Sequence, residues 1–331
     1  MHNGLLKHPL VTIVAALQLA NPTAARAPLE RANTLEPFFA VREQDLRLSM
    51  IMRRLITGNA AICRNQMPFT GLILHAQSQY DRHFAASLAQ AGYFPAPVAV
   101  QLVLPDSPAA TAGLKEGDGI VAINDIALPL DGSGKRSSMD RDKAERLLLL
   151  QSADAPINIT IQRNGETAPR VVALQPQRTC RARWEVTFDK AALGLSDGEI
   201  VQLSAHFLDD QIDDFVAVIA AHELAHVVLG HRQKLESLNV KYTALSAYGR
   251  SGKLIRAAED EADRLSVHLL ANAGYNPELA VQFWEGPGKR YSGGILRSPT
   301  HASASARATA IRREIEGLAP SSGNNTKAHA P

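Results

Sequence analysis

The spacing of apolar positions divides the chain into helical and strand-like stretches. Over 35–58, Phe38, Phe39, Val41, Leu46, Leu48, Ile51, Met52, Leu55 and Ile56 recur among charges at helical intervals, which predicts one or two amphipathic helices. A second helical stretch over 78–91 ends at Gly92. The pattern then becomes strand-like. An apolar run at 98–104, a turn and strand at 115–125 and an alternating segment at 157–163 before Asn164-Gly165 predict a small antiparallel sheet, closed by 171–174. Between them, Ala144, Leu147, Leu148 and Leu150 give 140–151 a helical face, and 131–138 reads as a loop. Further strands are predicted at 184–188 and 200–204.

The stretch before Gly230 is different in kind. Phe215, Val216, Val218, Ile219, Leu224, Val227, Val228 and Leu229 leave almost no polar face, as in a buried helix, with Asp213 and Asp214 suited to its start and Gly230 to its end. Yet this helix carries His222, Glu223 and His226, which read H-E-x-x-H. Histidines four apart share a helix face, so both rings can reach one metal ion, and the glutamate beside them is a candidate general base. A chance occurrence in a chain with 11 His is expected on the order of one time in a hundred. A catalytic zinc takes three protein ligands and leaves a position for water. The helix predicted at 254–273, ended by Gly274, supplies Glu259 and Asp263 on one face: Glu259 as third ligand, Asp263 as hydrogen-bond partner of a ligand histidine. Taken alone these acids would read as a solvated patch. Glu261 points away from both, and His231, just past Gly230, reads as a partly exposed residue at a helix end. His206 and His268 have weaker claims still.

Composition changes the picture little. With 331 residues, 45% hydrophobic and 21% charged, the chain is long enough for two domains with real cores. A net charge of +2 without basic runs leaves no nucleic-acid footprint. The N-terminus matters more: Lys7 and His8 precede an apolar run over 9–20 and a small-residue segment, read as a signal peptide cleaved after Ala25, with a short anchor helix as the alternative. The expectation is an exported, periplasmic protein with no membrane span after signal removal, no later stretch reaching 18 uninterrupted apolar residues. Cys63 and Cys180 suit an oxidising compartment as one disulfide, two free thiols being the alternative.

Two resemblances extend this reading. Over 100–126, the strand, Ser107-Pro108-Ala109-Ala110, Ala112-Gly113-Leu114 and Glu116-Gly117-Asp118 resemble a bacterial PDZ domain, departing at Gly119, where an apolar residue is usual, and at Asp125, where Gly is usual. The resemblance implies a PDZ domain over 95–176 that adds extended peptides, C-terminal or unfolded segments, to a sheet edge, unless the module is purely structural. Its carboxylate-binding loop is expected near 91–97.

His222-Glu223-Leu224-Ala225-His226, then Glu259 with Ala262-Asp263-Arg264, then Ala273-Gly274-Tyr275-Asn276-Pro277, resembles the HtpX and CAAX-prenyl-protease family of gluzincin metallopeptidases in its soluble exported branch. That implies one Zn2+ per chain on His222, His226 and Glu259, Glu223 as base and Asp263 as orienting acid. Thr300-His301 with Arg307 resembles the family's T-H-P loop, Ala302 replacing the Pro; His301 and Arg307 are candidate catalytic residues, a surface or helix-start role being the alternative.

The resulting expectation is an α+β chain. A mainly helical zinc-metallopeptidase domain with a small β-sheet is interrupted by an inserted PDZ domain, β-sandwich-like with helices. The expected divisions are a signal peptide at 1–25, N-terminal helices at 26–94, the PDZ domain at 95–176, the peptidase core at 177–317 and a disordered tail at 318–331. The expected activity is hydrolysis of unfolded or misfolded proteins, the PDZ domain recruiting or gating substrate. A periplasmic chaperone or adaptor with a structural zinc site is the alternative.

Overall fold

The N-terminal apolar stripe forms one continuous helix, α1 (Pro22–Gly58). It belongs to a computed structural model that describes residues 22–130, 133–189, 193–240, 249–291 and 302–318, with side chains from residue 35 onward. Leu48, Met52, Leu55 and Ile56 are fully buried, the i, i+4, i+7, i+8 spacing a helix turns toward a core. Of the expected signal peptide only 22–25 fall among the described residues, as the first turn of α1.

Next come β1 (Gln66–Phe69), β2 (Leu72–Ala76) and α2 (Arg82–Gln90), whose first turn is capped by the Asp81 carboxylate. Then follow β3 (Val98–Val103), α3 (Pro108–Thr111), β4 (Gly119–Ile123), β5 (Ile126–Ala127), α4 (Met139–Leu149), β6 (Ile157–Gln162) and β7 (Arg170–Leu174). The strands form an antiparallel sheet in the order β2-β3-β4-β6-β7, with β5 paired to β4. Ile157, Ile159 and Ile161 point inward at the period of two and meet Leu74, Val100, Ile120, Ala144 and Leu148.

The sheet corrects the expected domain start at 95. β2 pairs with β3 from Leu72↔Val103 to Ala76↔Val98, so it belongs to this sheet and α2 lies within the domain. Both departures from the PDZ pattern have local causes. A Cβ on Gly119 would lie 2.7 Å from Ala96, where backbone approaches backbone. Asn124 and Asp125 turn at φ 46° and 64°, a left-handed region that short polar side chains tolerate.

After the sheet, β8 (Gln177–Cys180) returns to pair with β1, and Cys180 is bonded to Cys63 with Cα atoms 5.3 Å apart. The β1–β8 pair and the disulfide form a neck where the chain enters and leaves the inserted domain. Beyond it lie β9 (Arg183–Thr187), β10 (Gly194–Ser196) and β11 (Ile200–Ser204), in the order β10-β11-β9. The helices α5 (Ala205–Asp210), α6 (Asp213–Leu229), α7 (His231–Ser237), α8 (Gly249–Asn272), α9 (Glu278–Glu285) and α10 (Ala304–Leu318) complete the described chain.

The expected apolar helix is α6, which occupies the centre. It is buried from Val216 to Ala225 and packs on α1, α8, α9 and the β10–β11 pair. Arg47 of α1 fixes its start, donating to the Leu208 and Gln211 carbonyls and pairing with Asp213. Among the described residues no single helix is long and apolar enough to cross a membrane. The expected tail at 318–331 lies outside the described residues except for Leu318, the last residue of α10.

The two sheets are joined by charge rather than by a flexible linker. Arg183 of β9 is buried and donates to Glu145 at 2.8 Å and Asp142 at 2.6 Å on α4, while Arg141 of α4 reaches Glu185 of β9 at 2.7 Å. Bidentate and networked ion pairs of this kind hold an orientation as well as lowering energy.

Candidate metal centre

Two consecutive turns of α6 place His222 and His226 on one face, and α8, packed across them, brings in Glu259. The Nε2 atoms of the two histidines are 3.2 Å apart. Glu259 carboxylate oxygens lie 3.3 Å from His222 Nε2 and 3.6 Å from His226 Nε2. A tetrahedral zinc with bonds of about 2.0–2.1 Å has ligand–ligand edges of about 3.4 Å, a spacing close to that of the two imidazole nitrogens and to the approach of a Glu259 oxygen to each. Among the described residues these three form a group of His, Cys, Asp or Glu able to hold a metal ion. Two imidazoles and a carboxylate are a zinc-hydrolase donor set, and the residues fit the ion.

Electrostatics favour a cation there. Burial and the Arg307 charge push the His222 pKa down, but hydrogen bonds to Asp263 and Glu259 outweigh them and raise it to about 9. Burial and the neighbouring His222 lower His226 to about 3. The two rings thus differ in their preference for a proton, His222 favouring it and His226 opposing it.

The expected orienting acid is in place. Asp263 Oδ1 is 3.0 Å from His222 Nδ1, which fixes the ring with Nε2 toward Glu259. Burial would raise the Asp263 pKa, yet the Arg307 charge and the hydrogen bonds of His222 and Arg307 hold it at about 2. Arg307, on α10, donates from Nε to Asp263 Oδ2 at 2.7 Å and from a second nitrogen to Oδ1, with its guanidinium carbon 3.7 Å over the Trp284 ring. Arg307, a candidate catalytic residue in the sequence, is thus a guanidinium buried between a carboxylate and an indole. His301 lies outside the described residues.

Glu223 is buried on α6 beside the two histidines and faces β10. A Cβ on Gly194 would stand 2.9 Å from Glu223 Cγ and 2.8 Å from Leu203, so only glycine lets this strand lie flat against the metal helix. Among the described residues β10 is the edge of its sheet, with Leu195 half exposed.

His231 departs from expectation. It is 4% exposed: Gly230 turns left-handed at φ 65°, the chain bends by 47° between α6 and α7, and the His231 ring packs against His226. Its Nδ1 lies 2.9 Å from His226 Nδ1, and its Nε2 lies 3.2 Å from Glu261. Glu261 does point away from Glu259 and Asp263, as its helical position requires, but toward this second histidine. The Gly-His pair after the apolar run was the available signal.

On the other sheet, β2 is an edge strand among the described residues and lies beside α4. The expected carboxylate-binding loop at 91–97 lies directly before β3, whereas β2 follows Thr70-Gly71. A pocket at this end is lined by Phe69, Thr70, Leu72, Leu148, Leu149 and, from the other sheet, Trp184.

Among known proteins, the family model for the PDZ domain matches residues 100–163. The chain is also similar to the crystal structure of the HtrA3 PDZ domain bound to a phage-derived ligand, FGRWV, at 19% identity and a TM-score of 0.24, covering 34% of this chain and 88% of that one. No curated protein matches the chain. The molecule is therefore a mixed α+β chain that contains a PDZ domain.

Proposed function

We propose that this chain is a zinc-dependent endopeptidase of the periplasm or cell envelope that cleaves unfolded or misfolded proteins, with the PDZ domain recruiting or gating the substrate. The observation that carries this reading is the convergence of His222, His226 and Glu259 on one point, with Glu223 beside it on the same helix. A site held only for structure has no need of a buried carboxylate next to its histidines, whereas a hydrolase does.

Zinc bound there would acidify a water molecule and polarise the scissile carbonyl. Glu223, beside those ligands, would act as the general base, taking a proton from the attacking water and delivering it to the leaving amine. β10 holds the substrate backbone in extended form over Glu223, and Gly194 permits that approach. Asp263 and Arg307 keep the His222 ring from rotating. The β2–α4 groove takes an extended peptide, and its far wall, Trp184 and Arg183, belongs to the sheet that includes β10. A bound segment therefore touches both halves of the molecule, which suits a recruiting or gating role.

Incubating the full chain with a reduced, unfolded protein should give cleavage that a chelator abolishes and one equivalent of zinc restores. Cleavage indifferent to chelation, or none under any metal, would overturn the reading.

A further inference from the structure

We propose that His231 and Glu261 are positioning residues for the ligand His226, forming a relay that fixes its ring as Asp263 fixes that of His222; this rests on the zinc-site reading above. His222 has a carboxylate at its outer nitrogen, Asp263 at 3.0 Å. The corresponding partner of His226 is a second imidazole, His231, whose Nδ1 is 2.9 Å away.

The proton positions follow from geometry. His226 presents Nε2 to His222 and Glu259, so that nitrogen carries the lone pair a metal needs. A neutral imidazole has one N–H, which then sits on Nδ1 and points at His231. His231 Nδ1 must accept it, so the His231 proton resides on Nε2, 3.2 Å from Glu261 Oε2, which accepts in turn. The two rings cross at 72° with centroids 4.9 Å apart, an arrangement set by nitrogen-to-nitrogen contact rather than stacking.

The fold is built to allow this relay. The left-handed turn at Gly230 bends α7 by 47° from α6 and sets its first residue, His231, beside His226 in the last turn of α6. Glu259 and Glu261 lie two apart on α8, so one helix serves His226 twice: Glu259 as co-ligand on the inner side, Glu261 through His231 on the outer side. His231 is buried while Glu261 is about half exposed, so the relay runs from the metal position to the surface.

The test is zinc affinity of the full chain, measured by competition with a chromophoric chelator. Loss of an outer partner weakens metal binding by about 10–100-fold, and that is the effect expected of His231→Ala. His231→Asn should recover most of it, because the Asn side-chain oxygen can accept from His226 Nδ1. Glu261→Gln, a surface change that leaves packing intact, should weaken binding by a smaller factor in the wild-type chain and by none in the His231→Ala background. Long-range proton–nitrogen spectra of the histidine-labelled, zinc-loaded chain should show His226 protonated on Nδ1 and His231 on Nε2, a readout that does not depend on the variants folding. Wild-type affinity in folded His231→Ala, no recovery with His231→Asn, additive losses, or the opposite tautomers would each overturn the relay while leaving zinc on the wild-type chain. A wild-type chain that binds no zinc would instead sink both readings.

Discussion

Glu223→Gln is expected to abolish peptide-bond cleavage while leaving one zinc per chain. Glu223 lies on α6 beside the ligands but contributes none of the three converging donors, so the metal set of His222, His226 and Glu259 survives the change. Gln is nearly isosteric and keeps the packing against β10, where space around Glu223 is tight. What it cannot do is take a proton from water and return it to the leaving nitrogen. A positioned acid–base group contributes about 10²–10⁴-fold, and the rate should fall by at least that factor. The check is a time course on an unfolded protein alongside metal analysis of the same sample. A variant that cleaves at the wild-type rate would remove Glu223 from the chemistry.

Asp263→Ala should be the most destabilising single change at the site. Asp263 and Arg307 are both almost fully buried and paired through two hydrogen bonds, and the guanidinium is covered by Trp284. Removing one partner strands the other charge, at a cost of about 3–5 kcal/mol. A paired replacement, Asp263→Leu with Arg307→Leu, should recover much of that stability, since apolar groups replace a buried ion pair without leaving a charge unpaired. It should not recover zinc affinity, because His222 Nδ1 still lacks its partner. Thermal or denaturant melts of the two variants, with chelator competition on each, separate the two effects. If the paired variant bound zinc like the wild type, Asp263 would be a purely structural residue.

The parts of this arrangement that the sequence disclosed are those set by local spacing. His222 and His226 are one turn apart in a helix whose apolar character runs from Phe215 to Leu229, and Glu259 and Asp263 share a face of the next long helix. Both follow from the helical period alone. The PDZ strands were legible for a similar reason, through the alternation of Ile157, Ile159 and Ile161 and the Asn124-Asp125 turn.

What escaped depends on pairing at a distance. β2 is short and is defined by its register with β3 beyond an intervening helix, so the expected range from 95 left out both β2 and α2. His231 looked like a partly exposed residue at a helix end because its burial depends on the bend at Gly230, which sets its ring against His226 and Glu261. The surroundings of Arg307 were not legible either, because sequence spacing carries no information about burial. The packing of α10 on α8 and α9 turns its guanidinium onto Asp263. Ala280, Val281, Phe283 and Trp284 were an available helical signal for α9, whose indole covers that charge.

The most direct test of the central claim, that His222, His226 and Glu259 hold zinc, is the metal content of the purified full chain and of Glu259→Ala. The account predicts one zinc per wild-type chain and a variant that loses the ion to a mild chelator while remaining folded. A wild-type chain free of zinc after growth with the metal, or a Glu259→Ala chain that holds it as tightly as the wild type, would contradict it.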